Sequence, residues 1–173
     1  DCGNAHVFIR AKDVGIAGTE TAAEIDANTG LTDLLERIRS QAAHRMGMVD
    51  DPANATRETP ATPILGMIAP AEDYWNVLGN RWVRAEECDF VTRLMFMQQM
   101  HKTYAGTSTV CTGVASKLPG TIVYEMARQE CQERLATFFG HPGGVIETEA
   151  KVELDGNTWR VARATVARTA RRI

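Results

Sequence analysis

Two alternating runs joined by a tight turn constrain this chain more than anything else in it. Along 145–154, Ile146, Thr148, Ala150, Val152 and Leu154 fall on one side and Glu147, Glu149, Lys151 and Glu153 on the other. A period of two is the signature of a strand with one apolar and one solvated face. Asp155-Gly156-Asn157 then supplies a turn, and Thr158 to Val166 runs back. Upstream, Leu135 to Phe139 and the glycine-rich turn Gly140 to Gly144 predict a further strand, so the last quarter reads as antiparallel sheet.

The remainder reads as mixed α/β. Ala5, Val7 and Ile9 alternate with His6, Phe8 and Arg10, which predicts an opening strand. Leu31, Leu34, Leu35, Ile38 and Ala42 recur at helical spacing with Gly47 beyond them, an amphipathic surface helix. The segment from Met48 to Pro63 is polar and proline-rich and reads as an exposed loop. Ile64 to Ala69 reads as a buried strand, and Gly79-Asn80 suggests a turn between two short strands in Tyr74 to Val83. Phe90, Leu94, Met97, His101 and Tyr104 step by four and three, which predicts a second amphipathic helix of about five turns starting near Ala85. Met95, Met97 and Met100 are read as its core filling. A polar loop, Ala105 to Thr109, would lead into a helix beginning at Val110-Cys111 and stopped early by Pro119-Gly120.

At 173 residues, 44% hydrophobic and 24% charged, the chain has the make-up of one globular domain. With a net charge of -3 and dispersed basic residues it carries no footprint for nucleic acid. It has no apolar run of the 18 or more residues that would suggest a membrane span, nor a signal-peptide pattern, so a cytoplasmic protein is expected. Cys2, Cys88, Cys111 and Cys131 lie far apart without paired spacing, which suits reduced thiols better than a disulfide framework or a metal site. The sequence opens at Asp1 inside an alternating segment and reads as a fragment or a processed chain.

The chemistry is expected around Ala105-Gly106-Thr107-Ser108-Thr109-Val110-Cys111-Thr112-Gly113, where small and hydroxyl residues precede a cysteine at a helix start. Free N–H groups of a first turn hold anions, and the helix dipole there favours thiolate, so Cys111 is a candidate proton-transfer group. The bland alternative is a small buried hydrophobe in a core helix. His141, in the turn Gly140-His141-Pro142-Gly143-Gly144, is a better loop candidate than His101, although a structural histidine explains each. Arg163, Arg168, Arg171 and Arg172 could bind a carboxylate or simply form a solvated basic tail.

Several ordered motifs carry a resemblance. Asp1-Cys2-Gly3-Asn4-Ala5-His6 resembles the Gly-Asn-Pro-His segment that opens the second domain of diaminopimelate epimerases, with alanine in place of proline, and Val110 to Ala115 resembles the second cysteine motif of that fold. Val14 to Glu20, Ile68-Ala69-Pro70 with Asp73-Tyr74, Cys111-Thr112-Gly113, Leu118 to Thr121, Gly140 to Val145 and Ala167 to Arg172 together are similar to the PrpF family over nearly the whole chain. That family includes 2-methylaconitate and methylitaconate isomerases and 4-oxalomesaconate tautomerase.

The resemblance implies a diaminopimelate epimerase-like fold, a mixed and mostly antiparallel sheet rolled around a central helix. Residues 1–173 would be a single domain, the carboxyl-terminal half of a two-domain pseudo-symmetric isomerase. It further implies a 1,3-proton shift in small unsaturated di- or tricarboxylic acids with no metal and no cofactor. Cys111 would be catalytic, and Asn4, Thr112, Gly113, His141 and Gly143 would bind substrate. The implied partners are a carboxylate substrate and an amino-terminal half, or a complementary chain, carrying the family's lysine and cysteine, which no segment here matches. A homo-oligomer stays open. The rival readings are a non-catalytic carboxylate-binding or assembly module and a cysteine hydrolase, the latter needing an imidazole within reach of Cys111.

Overall fold

The computed structural model describes residues 1–167; the candidate ligands Arg168, Arg171 and Arg172 lie outside them. Strand β1 (His6–Arg10) is followed by helices α1 (Ala22–Ala27) and α2 (Thr29–Arg45), then a short helix α3 (Ala55–Glu58). Strand β2 (Ile64–Pro70), the hairpin of β3 (Tyr74–Asn76) and β4 (Arg81–Val83), and strands β5 (Phe90–Phe96) and β6 (Gln99–Met100) come next. Helices α4 (Gly106–Ala115), α5 (Ile122–Met126) and α6 (Gln129–Glu133) lead to β7 (Ala136–His141), β8 (Gly144–Asp155) and β9 (Thr158–Val166).

The main sheet has the order β1-β2-β5-β7-β8-β9, with β6 folded back on β5. The β1–β2 and β5–β7 pairs are parallel and the others antiparallel. Helix α4 packs on β8 and β9, whereas α5, which touches α4, packs on β1 and β2. Both ends of the sheet therefore meet the same pair of helices, and the sheet curls around them as a half-barrel.

Strand residues alternate between two cores. On the α1/α2 side, Leu65, Met67, Val91 and Met95 pack with Ile25, Leu31 and Leu35. On the α4/α5 side, Ile64, Ile68, Phe90, Leu94 and Phe139 pack with Tyr104, Ala115 and Val123. Each fully buried side chain of this size contributes on the order of 1.5–3 kcal/mol. Helix α2 starts where the Asn28 side chain accepts from the Leu31 N–H. Its buried Arg39 pairs with Glu36 and donates to the carbonyls of Thr59 and Thr62. That clamp fixes the 48–63 segment, which is less a loop than expected: it holds α3 and a 3-10 turn at Pro52–Asn54, and Val49 and Ala55 are buried against Ala43.

The helix expected from Ala85 to Tyr104 is absent; Phe90–Phe96 is the central strand β5. All of Phe90 to Met95 are buried, Phe90 and Leu94 in one core and Val91 and Met95 in the other. A strand covered on both faces loses its alternation, and its bulky residues then mimic a spacing of four. Met95 and Met100 do fill the core, but Met97 is exposed in the β5–β6 turn with a positive φ of 52°.

Candidate active site

Residues Ala105 to Thr109 are not a loop. Ala105 is the N-cap of α4 and the helix begins at Gly106, so Cys111 is its sixth residue and not at its start. The small and hydroxyl residues Gly106 to Thr109, poor helix formers, hid this turn from the sequence. The expected effect on the thiol is also reversed: burial pushes the Cys111 thiol above its ordinary value, and a backbone N–H contact from Cys2 opposes this only in part. At neutral pH the thiol is protonated.

The first turn of α4 keeps unpaired donors. Its first intrahelical bond runs from Thr109 N–H to Ala105 C=O, and no side chain caps it. The N–H groups of Gly106, Thr107 and Ser108 thus have no protein acceptor among the described residues. Ser108 is fully buried and its hydroxyl has no hydrogen-bond partner among the described residues. Asn4 reaches this turn, its side-chain amide donating to the Thr107 hydroxyl. Ser108 was not singled out from the sequence; a buried hydroxyl leaves no mark on periodicity.

Cys111 lines a cavity of about 330 Å³ closed by β1, α4 and β9, together with Cys2, His6, Phe8 and Trp159. His6 is buried, donates from Nδ1 to the Asn4 carbonyl at 3.1 Å, and leaves Nε2 without a partner among the described residues. Burial holds its imidazole below the ordinary value.

The other candidates sit elsewhere. Thr112 is buried in the body of α4, its hydroxyl 2.9 Å from that of Tyr104. Gly113 faces β8, where a Cβ would lie 2.6 Å from the Thr148 methyl; glycine is what lets the central helix approach the sheet. His141 ends β7, buried, its Nδ1 accepting from the Gly143 N–H at 3.2 Å. Burial, then the charge of Arg93, lowers its pKa to about 4, so it is neutral at pH 7. The structure brings Asn4 to the start of α4, near in sequence to Cys111, and groups His141 with Gly143 separately. No hydrogen bond joins Cys111 to any imidazole among the described residues, so the pair a cysteine hydrolase requires is not assembled.

A groove of about 890 Å³ between α2 and residues 51–56 lies away from these residues. Its Glu36 carboxylate is already engaged by Arg39 and Thr56. Among the described residues no cluster of three or more His, Cys, Asp or Glu is arranged to hold a metal, and no helix is long and apolar enough to cross a membrane.

Comparison with known proteins matches this fold and sequence to isomerases. The 3-methylitaconate isomerase of Eubacterium barkeri is 41% identical over 173 residues, 100% of this chain and 44% of that protein. The 2-methyl-aconitate isomerase of Shewanella oneidensis is 33% identical over 167 residues, 95% of this chain and 41% of that protein. A crystal structure of methylitaconate-delta-isomerase superposes with a TM-score of 0.85 at 36% identity, covering 95% of this chain and 44% of the other. The chain thus spans less than half the length of these relatives. Since the family model described as PrpF protein matches residues 1–173, the whole of the chain, it belongs to the PrpF family.

Proposed function

We propose that this chain is the carboxyl-terminal, substrate-binding half of a cofactor-independent isomerase that moves a proton in a small unsaturated di- or tricarboxylic acid of the methylitaconate or methylaconitate kind. The observation that carries this reading is the first turn of α4, with three unspent N–H groups, the buried unpartnered Ser108 hydroxyl and the Asn4 side chain beside it. A helix start of this kind suits a carboxylate.

In a 1,3-proton shift a base removes an allylic proton, the dienolate spreads negative charge into a carboxylate, and an acid returns the proton at the far carbon. Donors fixed where that charge grows favour the transition state over the ground state. The start of α4 plays that part. Cys111, protonated and buried one and a half turns further along, suits an acid or a wall of the site better than a base. The base would come from a complementary half, the remaining length of the relatives, facing this chain across a cleft. Asn4 touches the substrate, Thr112 and Gly113 shape the helix behind it, and His141 and Gly143 order a separate turn.

The test is exchange of substrate protons in D2O, followed by NMR with methylitaconate and 2-methylaconitate, on the full-length protein and on its Ser108→Ala variant. Exchange in the parent and a raised KM in the variant are expected. A full-length protein that binds these acids without exchange would leave the alternative, a non-catalytic carboxylate-binding module.

A further inference from the structure

Arg93 on β5 is 1% exposed, as buried as Arg39, but the two are satisfied differently. Arg39 lays Nε and Nη2 on the two carboxylate oxygens of Glu36, at 2.7 and 2.6 Å. Arg93 spends Nε on the Glu20 carbonyl and Nη1 on the Thr92 carbonyl, and stands 5.0 Å over the Tyr74 ring. Its Nη2 has no protein acceptor among the described residues, and no carboxylate there forms an ion pair with it. Glu20 and Glu24 are close enough to favour its charge, but the Glu20 carboxylate receives the Ala17 and Gly18 N–H groups and that of Glu24 receives Thr21. Burial outweighs both and lowers the guanidinium to about 10, still cationic at pH 7.

A buried cation without an anion loses solvation that its neighbours here only partly return. Arg93 lines a cavity of about 220 Å³ that also receives Lys102 and has apolar walls from Ala22, Ala23, Trp75, Val77, Leu78 and Pro142. Trp75, Val77 and Leu78 are exposed on the β3–β4 hairpin, 43%, 57% and 61%, which is costly surface unless something covers it. Apolar walls beside two cationic side chains are the make-up of a site for an anion with an apolar body. The cavity shares no residue with the start of α4 or with the cavity of Cys111.

We propose that this cavity is a second carboxylate site, which takes a small organic acid with a short aliphatic body, its carboxylate toward Arg93 and Lys102 and its chain along Trp75 and Leu78. The site is independent of the isomerase reading. A charge-assisted hydrogen bond from the free Arg93 Nη2, together with the charge of a nearby ammonium, selects a carboxylate over an isosteric neutral amide.

The experiment uses the 15N-labelled full-length protein, with hexanoate and hexanamide as probes and the Trp75 indole N–H as reporter. Hexanoate at millimolar concentration moves the Trp75 signal, and hexanamide binds about tenfold more weakly or less. Lys102→Gln, at an exposed position, weakens hexanoate while the spectrum stays folded, and Ala23→Trp, which fills the cavity, removes the response. Ser108→Ala leaves it in place. An unmoved Trp75 signal, equal binding of hexanamide, or loss of the response in Ser108→Ala would each overturn the proposal.

Discussion

The side-chain amide of Asn4 donates to the hydroxyl of Thr107 across 103 positions of sequence, and so ties the entry of β1 to the first turn of α4. The bond orients two groups beside the unspent N–H donors. Replacing Asn4 with alanine in the full-length protein should raise KM about tenfold, the loss of one or two hydrogen bonds to a charged ligand, with a smaller change in kcat. Steady-state kinetics separate the two parameters; a lower kcat at constant KM would place Asn4 outside the binding contact.

Gly113 is the point of closest approach between the central helix and β8. An added methyl would lie 2.6 Å from Thr148 Cγ2 and 3.0 Å from its hydroxyl. Gly113→Ala should cost about 1–3 kcal/mol by overpacking, despite the better helix propensity of alanine. Urea unfolding measures the loss, and Thr148→Ser, which deletes the clashing methyl, should return part of it. Additive losses in the double variant would argue against this contact.

His141 makes stability depend on pH. Its pKa falls from 6.5 to about 4 on folding, so between those values the unfolded chain binds a proton that the fold excludes. The contribution is present above pH 6.5 and is lost as pH falls toward 4. From pH 7 to pH 5 this amounts to about 2 kcal/mol, and His6, also lowered by burial, acts in the same direction. Urea unfolding of His141→Asn at both pH values should show a shallower loss than the parent; parallel losses would mean that folding leaves the affinity of the imidazole for its proton unchanged.

Burial raises both Cys88, to about 11, and Cys111, while Cys2 is half-exposed. Iodoacetamide at pH 7.5 should therefore modify Cys2 in the folded protein and reach Cys88 and Cys111 only on unfolding. Peptide mass spectrometry over time gives the order. Early modification of Cys111 would restore it as a thiolate base.

Apart from β2, whose short apolar run was read as a buried strand, the elements the sequence revealed most clearly are those with one wet face. The β8–β9 hairpin alternates because Glu147, Lys151 and their neighbours meet water, and α2 shows its stripe because Leu31 and Leu35 are buried while Asp33 and Arg37 are not. Strand β5 was misread because both of its faces are covered, and α4 was started too late because its first turn is built from glycine and hydroxyl residues inside a core. The PrpF resemblance located the helix that matters, but not the state of its cysteine, which depends on β1 and β9 folding over it. Ser108 and Arg93 were missed for the same reason: what distinguishes them is burial without a full set of partners, and only tertiary structure creates that.

Among the described residues strand β9 ends the sheet, with Trp159 and Val161 exposed beside Leu154 on its partner. The opposite face carries the cross-strand pairs Arg160–Glu153 and Arg163–Glu149. An open row of backbone donors and acceptors flanked by bare aromatic and aliphatic groups is a template for stacking one molecule on the next. Added salt screens that charged fringe and strengthens apolar contact. The colloidal behaviour of the chain should accordingly run opposite to that of a protein held together by ion pairs, clearest in dilute buffer and turbid in concentrated sulfate.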